Sequence, residues 1–202
     1  GRYAYANQPS IAQWNLARFA ETLLPIMDDE IEKATAMAEE AINDFGPLYK
    51  GKWFSMMRSK LGLTGDRTED ERLITDLLDW MHGAEADYTN FFRDLAQEER
   101  PQGKPYEDKA FDAWHIRWRE RLAQDENTTE ASLALMSANN PVVIPRNHKV
   151  EQALDAATNG DLQPLRDLLV ALQDPFENRV DLKPYQSPPE PEERVHQTFC
   201  GT

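Results

Sequence analysis

The sequence is poor in cysteine, in long apolar runs and in positive charge, and each shortage excludes a class of protein. Its one cysteine, Cys200, cannot form a disulfide within the 202-residue chain, which excludes a disulfide scaffold and favours a reducing compartment. No apolar run is long enough to span a membrane and no signal-peptide pattern is present, so we expect no membrane partner. A net charge of −14 repels phosphate backbones, so we expect no nucleic-acid partner.

Motifs for metal binding and catalysis are also missing. None of the four histidines, His82, His115, His148 and His196, is spaced from another His or from Cys as metal ligands are. There is no Gly-x-Ser-x-Gly motif and no glycine-rich phosphate loop. The acidic stretches 28–30 and 69–71 begin predicted helices, where carboxylates complement the helix dipole. The residues by themselves therefore predict no catalytic constellation.

What the sequence does have is apolar residues at helical spacing along almost its whole length. It predicts an all-α domain of eight or nine packed helices over residues 1–175, followed by an extended, Pro-rich tail over residues 176–202. Ala34 and Ala38 lie in a stripe of small residues that allows close helix packing. Gly46-Pro47 is expected to end that helix, and Thr68-Glu69-Asp70-Glu71 is expected to form a capping box.

Two polar segments could carry chemistry or only stabilise the fold. In the segment 115–121, Trp118 and its neighbour Trp114 are expected in the core. Arg117 and Arg121, four residues apart, are expected to pair with Glu120, Asp125 or acidic residues on other helices. A phosphate or an acidic partner is the alternative ligand for this basic segment. Asn147 is expected to cap a helix, and Arg146 is the strongest candidate for a buried or inter-domain ion pair.

Cys200 is the candidate redox residue. Its position near the end of the tail leaves three roles open: a reactive thiol, half of a bond to something outside the chain, or an end that the protein grips. His196 is four residues away, but an extended tail gives that spacing no reliable contact. An independent thiol enzyme is therefore the least favoured reading.

Several short stretches, taken in order, resemble the C-terminal part of the selenoprotein O family. Each is weak alone, and their order and spacing along all 202 residues make the resemblance specific. They are Gly1-Arg2-Tyr3, Asn7-Gln8-Pro9-Ser10-Ile11-Ala12-Gln13-Trp14-Asn15-Leu16, Lys60-Leu61-Gly62-Leu63, Asp87-Tyr88-Thr89-Asn90-Phe91-Phe92-Arg93, Trp118-Arg119-Glu120-Arg121-Leu122, Asn140-Pro141 with Arg146-Asn147, and Cys200-Gly201-Thr202.

The resemblance implies the C-lobe and C-terminal extension of a protein-kinase-like fold, a pseudokinase that acts as a protein adenylyltransferase. Such enzymes move AMP from ATP to Ser, Thr or Tyr hydroxyls with Mg²⁺ or Mn²⁺. Their nucleotide and metal residues precede the family's Gly-Arg-Tyr, so no catalytic, cofactor-binding or metal residue can be carried over to this chain. Cys200 matches the family's redox position, although the chain has Cys-Gly-Thr where the family commonly has Cys-Ser-Ser.

The first hypothesis is therefore that the chain is a C-terminal fragment, inactive alone and without a cofactor of its own. Gly1 is not an initiator methionine, and the chain looks cut from something longer. Its expected partners are the upstream N-lobe, the activation segment with its cysteine, and protein substrates. The expected compartment is the cytoplasm, or the mitochondrion for eukaryotic relatives. The alternative is a helical interaction module whose acidic surface and tail recruit a protein substrate.

Overall fold

A computed structural model describes residues 7–195, and within that range the regular structure is helical, without strands. The all-α prediction is confirmed for this part of the chain. Nine helices have eight or more residues, and they are α1 (Gln8–Met27), α2 (Ile31–Asn43), α3 (Phe45–Lys60), α4 (Asp70–Gly83), α5 (Tyr88–Leu95), α6 (Lys109–Leu122), α7 (Thr129–Asn139), α8 (Asn147–Thr158) and α9 (Gln163–Ala171). A short helix α10 (Lys183–Gln186) lies between 3-10 turns at Val180–Leu182 and Pro191–Glu193.

The chain divides into two compact units after Met56. In the first, α1 packs against α2, and the small side chains of Ala34 and Ala38 are buried as their spacing predicts. The Gln13 side chain donates a hydrogen bond to the Ile42 carbonyl, 3.1 Å away, and so ties α1 to α2.

Helix α3 begins earlier than the sequence suggests. Gly46 and Pro47 were expected to separate two helices, but they lie in the first turn of α3, which starts at Phe45. Proline is tolerated there because the first backbone N–H groups of a helix have no partner within the helix.

The second unit is built on an aromatic core between α4, α5 and α6. Rings of these helices contact one another with centroids about 5–6 Å apart, and the fully buried ones are Phe91, Phe92, Phe111 and Trp114. Two indole N–H groups extend this core to its surroundings: Trp114 donates to the Leu73 carbonyl and Trp118 to the Leu61 carbonyl, each at 2.9 Å. The core therefore fixes α6 against both α4 and the end of α3.

Two predicted helix caps are wrong. Helix α4 begins at Asp70, and its N-cap, Glu69, makes no side-chain capping bond, so Thr68 forms no capping box. Helix α8 begins with Asn147, which is its first residue and not its cap. Thr128, by contrast, caps α7, since its hydroxyl accepts a hydrogen bond from the Ala131 N–H.

The segment after Pro175 does not remain extended. Leu182 is fully buried in a small core with Val142, Val143 and Ala171, and Tyr185 packs against the same core. Burial of Leu182 and Tyr185, three residues apart, favours a helical turn, and Pro184 fits the start of α10. The extended prediction is thus wrong for Val180–Gln186, while the division of the chain after residue 175 itself stays a prediction.

Gly62 is the turn residue on which the end of α3 depends. Its φ is +71°, and a Cβ added there would lie 3.0 Å from the Ser132 carbonyl oxygen and 3.0 Å from Met136 Cγ. Gly65 has a similar φ of +73° but has no atom within 4 Å of its added Cβ. The two glycines therefore share the backbone requirement and differ in packing.

We expect Gly65→Ala to lower the free energy of unfolding by about 1 kcal/mol, the cost of a left-handed backbone for alanine. Gly62→Ala should cost about 1 kcal/mol more, because the new methyl group also displaces Met136 and meets a backbone oxygen. Urea unfolding followed by tryptophan fluorescence measures both. Equal costs for the two variants would show that the Gly62 turn is not constrained by α7.

Candidate functional site

The candidate redox residue falls outside the part of the chain that the structure describes. Cys200 and His196 lie outside the described residues, so the redox prediction stays a prediction. Within residues 7–195, no group of three or more His, Cys, Asp or Glu side chains is close enough to hold a metal ion. In the same range, no helix is both long enough and apolar enough to cross a membrane.

The basic segment 115–121 is a structural element of the core. Trp118 and Arg121 are buried. Arg117 pairs with Asp76 on α4 at 2.7 Å, and the Arg119 guanidinium lies over the Trp118 ring. The interpretation that these arginines pair with acidic residues is confirmed for Arg117 and Arg121, and Asp125 is one of the predicted partners.

Arg121 is the centre of a buried charge cluster that we call the Arg121 centre: Arg121, Asp70, Asp125 and the Thr64 backbone. Its Nε lies 2.6 Å from Asp70 Oδ1, and its two Nη atoms reach Asp125 Oδ1 at 2.5 Å and the Thr64 carbonyl at 3.0 Å. The side chain of Asp70 is fully buried and that of Arg121 is 3 % exposed. The cluster joins α4, α6 and the loop after α3.

Charge balance explains why this arginine tolerates burial. Burial alone would lower the pKa of Arg121, but the hydrogen bonds and negative charges of Asp70 and Asp125 outweigh it and raise the pKa. For Asp125, burial would raise the pKa, but the Thr64 N–H and Arg121 lower it. Arg121 and Asp125 therefore stay ionised, as a buried ion pair requires.

The second cluster, which we call the Arg146 centre, contains Arg146, Asp87, Asn90, Arg93 and Gln186. Arg146 binds Asp87 through both Nη atoms, at 2.7 and 2.9 Å, and its Nη2 lies 3.3 Å from Asn90 Oδ1. Arg146 is 8 % exposed, so the predicted buried ion pair is confirmed. It connects the residue before α8 to the start of α5.

The same cluster holds the segment after α9. The Asn90 side chain donates to the Gln186 carbonyl at 3.2 Å, and Arg93 Nη1 donates to Gln186 Oε1 at 3.0 Å. Burial would raise the pKa of Asp87, but hydrogen bonds from Arg146 and the Asn90 N–H and the charges of Arg146 and Arg93 lower it. Three parts of the second unit that are distant in sequence therefore meet in this cluster, which contains the ionised Asp87 carboxylate.

Lys60 forms a third anchor that the sequence did not single out. Its ammonium group donates to the Asn139 carbonyl at 3.2 Å and lies 4.8 Å from the centre of the Phe92 ring, while the Asn140 side chain donates back to the Lys60 carbonyl at 2.8 Å. Burial lowers the pKa of Lys60. In a sequence, a lysine at the end of an amphipathic helix is normally predicted to be exposed to solvent. Only its contacts with Asn139 and Asn140, 79 and 80 residues away, identify its structural role.

These three anchors contain most of the buried charge of the second unit, and each charged group faces a partner. Asp70, Asp87 and Asp125 accept from arginine and from backbone N–H groups. Such arrangements position helices, because the carboxylates of these anchors are held by charged or backbone donors. Among the described residues, these buried ion pairs and hydrogen bonds therefore have a structural role: they hold the helices together.

Comparison with known proteins gives the class. A sequence model described as "Protein adenylyltransferase SelO" matches residues 1–173, most of the chain. The chain belongs to this family.

Curated relatives agree. The chain is 54 % identical over 203 residues to a protein of Nitrosococcus oceani and 54 % identical over 203 residues to one of Alcanivorax borkumensis, each named "Protein nucleotidyltransferase YdiU". A protein of Syntrophotalea carbinolica with the same name is 47 % identical over 203 residues. All of this chain is covered in each comparison, but only 41 %, 42 % and 41 % of the respective relatives. The chain thus spans about two fifths of the length of these relatives.

The stretches that suggested the family occupy the anchors. The stretch 60–63 supplies Lys60 and the Leu61 carbonyl, the stretch 118–122 supplies Trp118 and Arg121, and the stretches 87–93 and 146–147 supply the Arg146 centre. In the second unit, the residues by which the family resemblance is seen are therefore the ones that join its helices.

Proposed function

We propose that this chain is the C-terminal helical part of a protein adenylyltransferase with a kinase-like fold. The whole protein transfers AMP from ATP, with Mg²⁺ or Mn²⁺, to Ser, Thr or Tyr hydroxyls of other proteins. The nucleotide site, the metal ligands and the catalytic acid belong to the part of the protein that this chain does not include. This chain alone is inactive.

The observation that carries the proposal is the combination of family membership with coverage of only about two fifths of the relatives' length. The three anchors support a structural role for this chain, with the nucleotide site elsewhere in the protein, since the chain's buried charges fix helices to one another. A scaffold built this way supports a substrate-binding lobe without itself holding the nucleotide.

Cys200 is proposed as the redox residue of the whole protein, with its partner thiol in the activation segment outside this chain. Two thiols would lose two protons and two electrons to an oxidant such as a peroxide and form one disulfide. That bond would restrain the tail at the active-site mouth. Non-reducing peptide mapping of the whole protein after peroxide treatment should recover a peptide that contains Cys200 joined to a second cysteine, and its absence would remove this role.

AMP transfer is tested with radiolabelled ATP and a generic protein substrate. A polypeptide that includes this chain and the remaining three fifths of a family member should incorporate label, and this chain alone should not. Label on the substrate with this chain alone would overturn the placement of the active site. No label with the complete polypeptide, under either metal, would overturn the proposed reaction.

A protein-interaction module is the second candidate function. It is favoured by the net charge of −14 and by large exposed apolar side chains on the first unit, among them Trp14, Phe19 and Ile26. A variant ending at Gln186 keeps the Arg146 centre and removes residues 187–202. Binding of a protein substrate of the parent by this chain, lost on that truncation, would support the module.

A further inference from the structure

A cleft lies beside the start of α8. It has a volume of about 480 Å³, which falls within the range of about 300–1,000 Å³ typical of small-molecule pockets. Its walls come from the residues around the α8 N-terminus and from the segment that closes the described chain. Those that matter here are Arg146, Asn147, His148 and Arg194.

The start of α8 offers backbone donors to this cleft. The N-cap residue, Arg146, makes no side-chain capping bond. Its carbonyl accepts from the N–H groups of Lys149 and Val150, whereas no described residue supplies a backbone acceptor for the N–H groups of Asn147 and His148. Free N–H groups at a helix N-terminus and the positive end of the helix dipole favour an anion.

Two buried side chains give a second and independent indication. His148 is 4 % exposed, lines the cleft and makes no hydrogen bond with another described residue. Arg146 also lines the cleft, and its Nε–H is buried without an acceptor, although both its Nη atoms bind Asp87. Buried polar groups are nearly always hydrogen-bonded, so the buried, unpaired Arg146 Nε–H beside the His148 side chain indicates a ligand that accepts hydrogen bonds.

The charges around the cleft favour a negatively charged ligand. Arg194 is exposed at its edge. Lys149 in α8 and Arg146 just before it lower the pKa of His148, whereas Glu193 in the Pro191–Glu193 turn raises it. Glu193 is itself occupied, because it accepts hydrogen bonds from the Gln152 side chain and the Glu190 N–H. The groups that remain available are donors and cations.

We propose that this cleft is an oxyanion-binding site that holds a phosphate group, free or on a small molecule, through the α8 N-terminus, Arg146 Nε, His148 and Arg194. A phosphate has enough acceptor oxygens to meet all of these donors at once. The site lies in the second unit and does not depend on nucleotide transfer.

The protonation of His148 should make anion binding at this site depend on pH. Burial, Lys149 and Arg146 lower the pKa of His148, and only Glu193 raises it. A bound anion would favour the imidazolium ion, so binding should strengthen as the pH falls and should raise the pKa of His148. Sulfate is the better probe for this dependence, because its charge stays constant between about pH 5 and 8, where histidine titrates.

The test uses the full 202-residue chain, inorganic phosphate and sulfate, with chloride at equal ionic strength as the baseline. Calorimetry should detect binding of both oxyanions. The affinity for sulfate should be higher at the lower pH than at the higher pH. His148→Gln should weaken sulfate binding about tenfold at low pH and remove its pH dependence, since a loss of about one pKa unit of coupling is a factor of ten. Arg194→Gln should weaken it several-fold.

Lys183→Gln is the matched control, because it removes the same charge from an exposed position in the neighbouring helix α10, outside the cleft. It should leave oxyanion binding unchanged. The His148 ring signal in the NMR spectrum of the unmodified chain provides a readout that needs no variant, and its titration should move to higher pH with sulfate. An unmoved His148 titration, or equal binding by the His148→Gln and Lys183→Gln variants, would overturn the site.

Discussion

Replacing Arg121 with methionine is expected to lower the free energy of unfolding of the second unit by about 3–5 kcal/mol, the range observed when one partner of a buried ion pair is removed. Methionine fills a similar volume, so the loss comes from charge. The change leaves Asp70, which is fully buried, without its 2.6 Å partner and leaves Asp125 without its 2.5 Å partner. Urea unfolding followed by tryptophan fluorescence measures the effect.

Arg117→Met is the matched control for this prediction. Arg117 lies on the same helix and also pairs with an aspartate of α4, Asp76, but its side chain is 43 % exposed. Exposed pairs contribute about 0–1 kcal/mol, so the control should cost little. Adding Asp70→Asn to Arg121→Met should recover part of the loss, because the asparagine removes one of the two carboxylates left unpaired, while Asp125 remains. Similar costs for Arg121→Met and Arg117→Met would contradict the assignment of the Arg121 centre as a principal anchor.

Replacing Arg146 with methionine is expected to cost about 2–3 kcal/mol at neutral pH, the magnitude of hydrogen bonds to a charged group. The effect is smaller than at Arg121 because the Asp87 side chain is 25 % exposed and water can partly replace its partner. The variant should also loosen the hold of α5 on the segment after α9. Hydrogen exchange at Leu182, which packs in the core nearby, should therefore become faster.

The cost of Arg146→Met should depend on pH in a defined direction. The pKa of Asp87 is lowered in the folded chain, so its stabilising contribution is present above the unfolded value of about 4 and is lost as the pH falls through the folded pKa. In the variant, the cost of burying the Asp87 carboxylate is no longer offset by Arg146. Protonation of Asp87 at low pH removes that cost. The difference between the two proteins should therefore shrink below about pH 4. A difference that is constant down to pH 3 would show that the Arg146–Asp87 pair is not its source.

Helical periodicity predicted most of the fold because most helices bury one face against a neighbour. The stripe with Ala34 and Ala38 and the aromatic face of α6 with Trp114 and Trp118 both follow from local spacing. Arg146 could be predicted as a buried ion pair because it follows an extended apolar connector and precedes a helix.

Long-range partners could not be predicted. Asp70 looks like a first-turn carboxylate that complements the helix dipole, and nothing near it in sequence shows that Arg121, 51 residues away, will bury it. The predicted capping box fails because the N-cap of α4 is Glu69 and not Thr68. Lys60 and Leu182 were missed because burial on a distant element, and not local pattern, decides their environment.

The central claim is that this chain supplies the helical scaffold of a protein adenylyltransferase and that the nucleotide site lies in the part of the protein beyond it. Isothermal titration of the isolated 202-residue chain with ATP and Mg²⁺ tests that claim most directly, with inorganic phosphate added at saturation so that the α8 cleft is occupied. The account predicts no heat of nucleotide binding under these conditions. Micromolar binding of ATP that requires Mg²⁺ would contradict it.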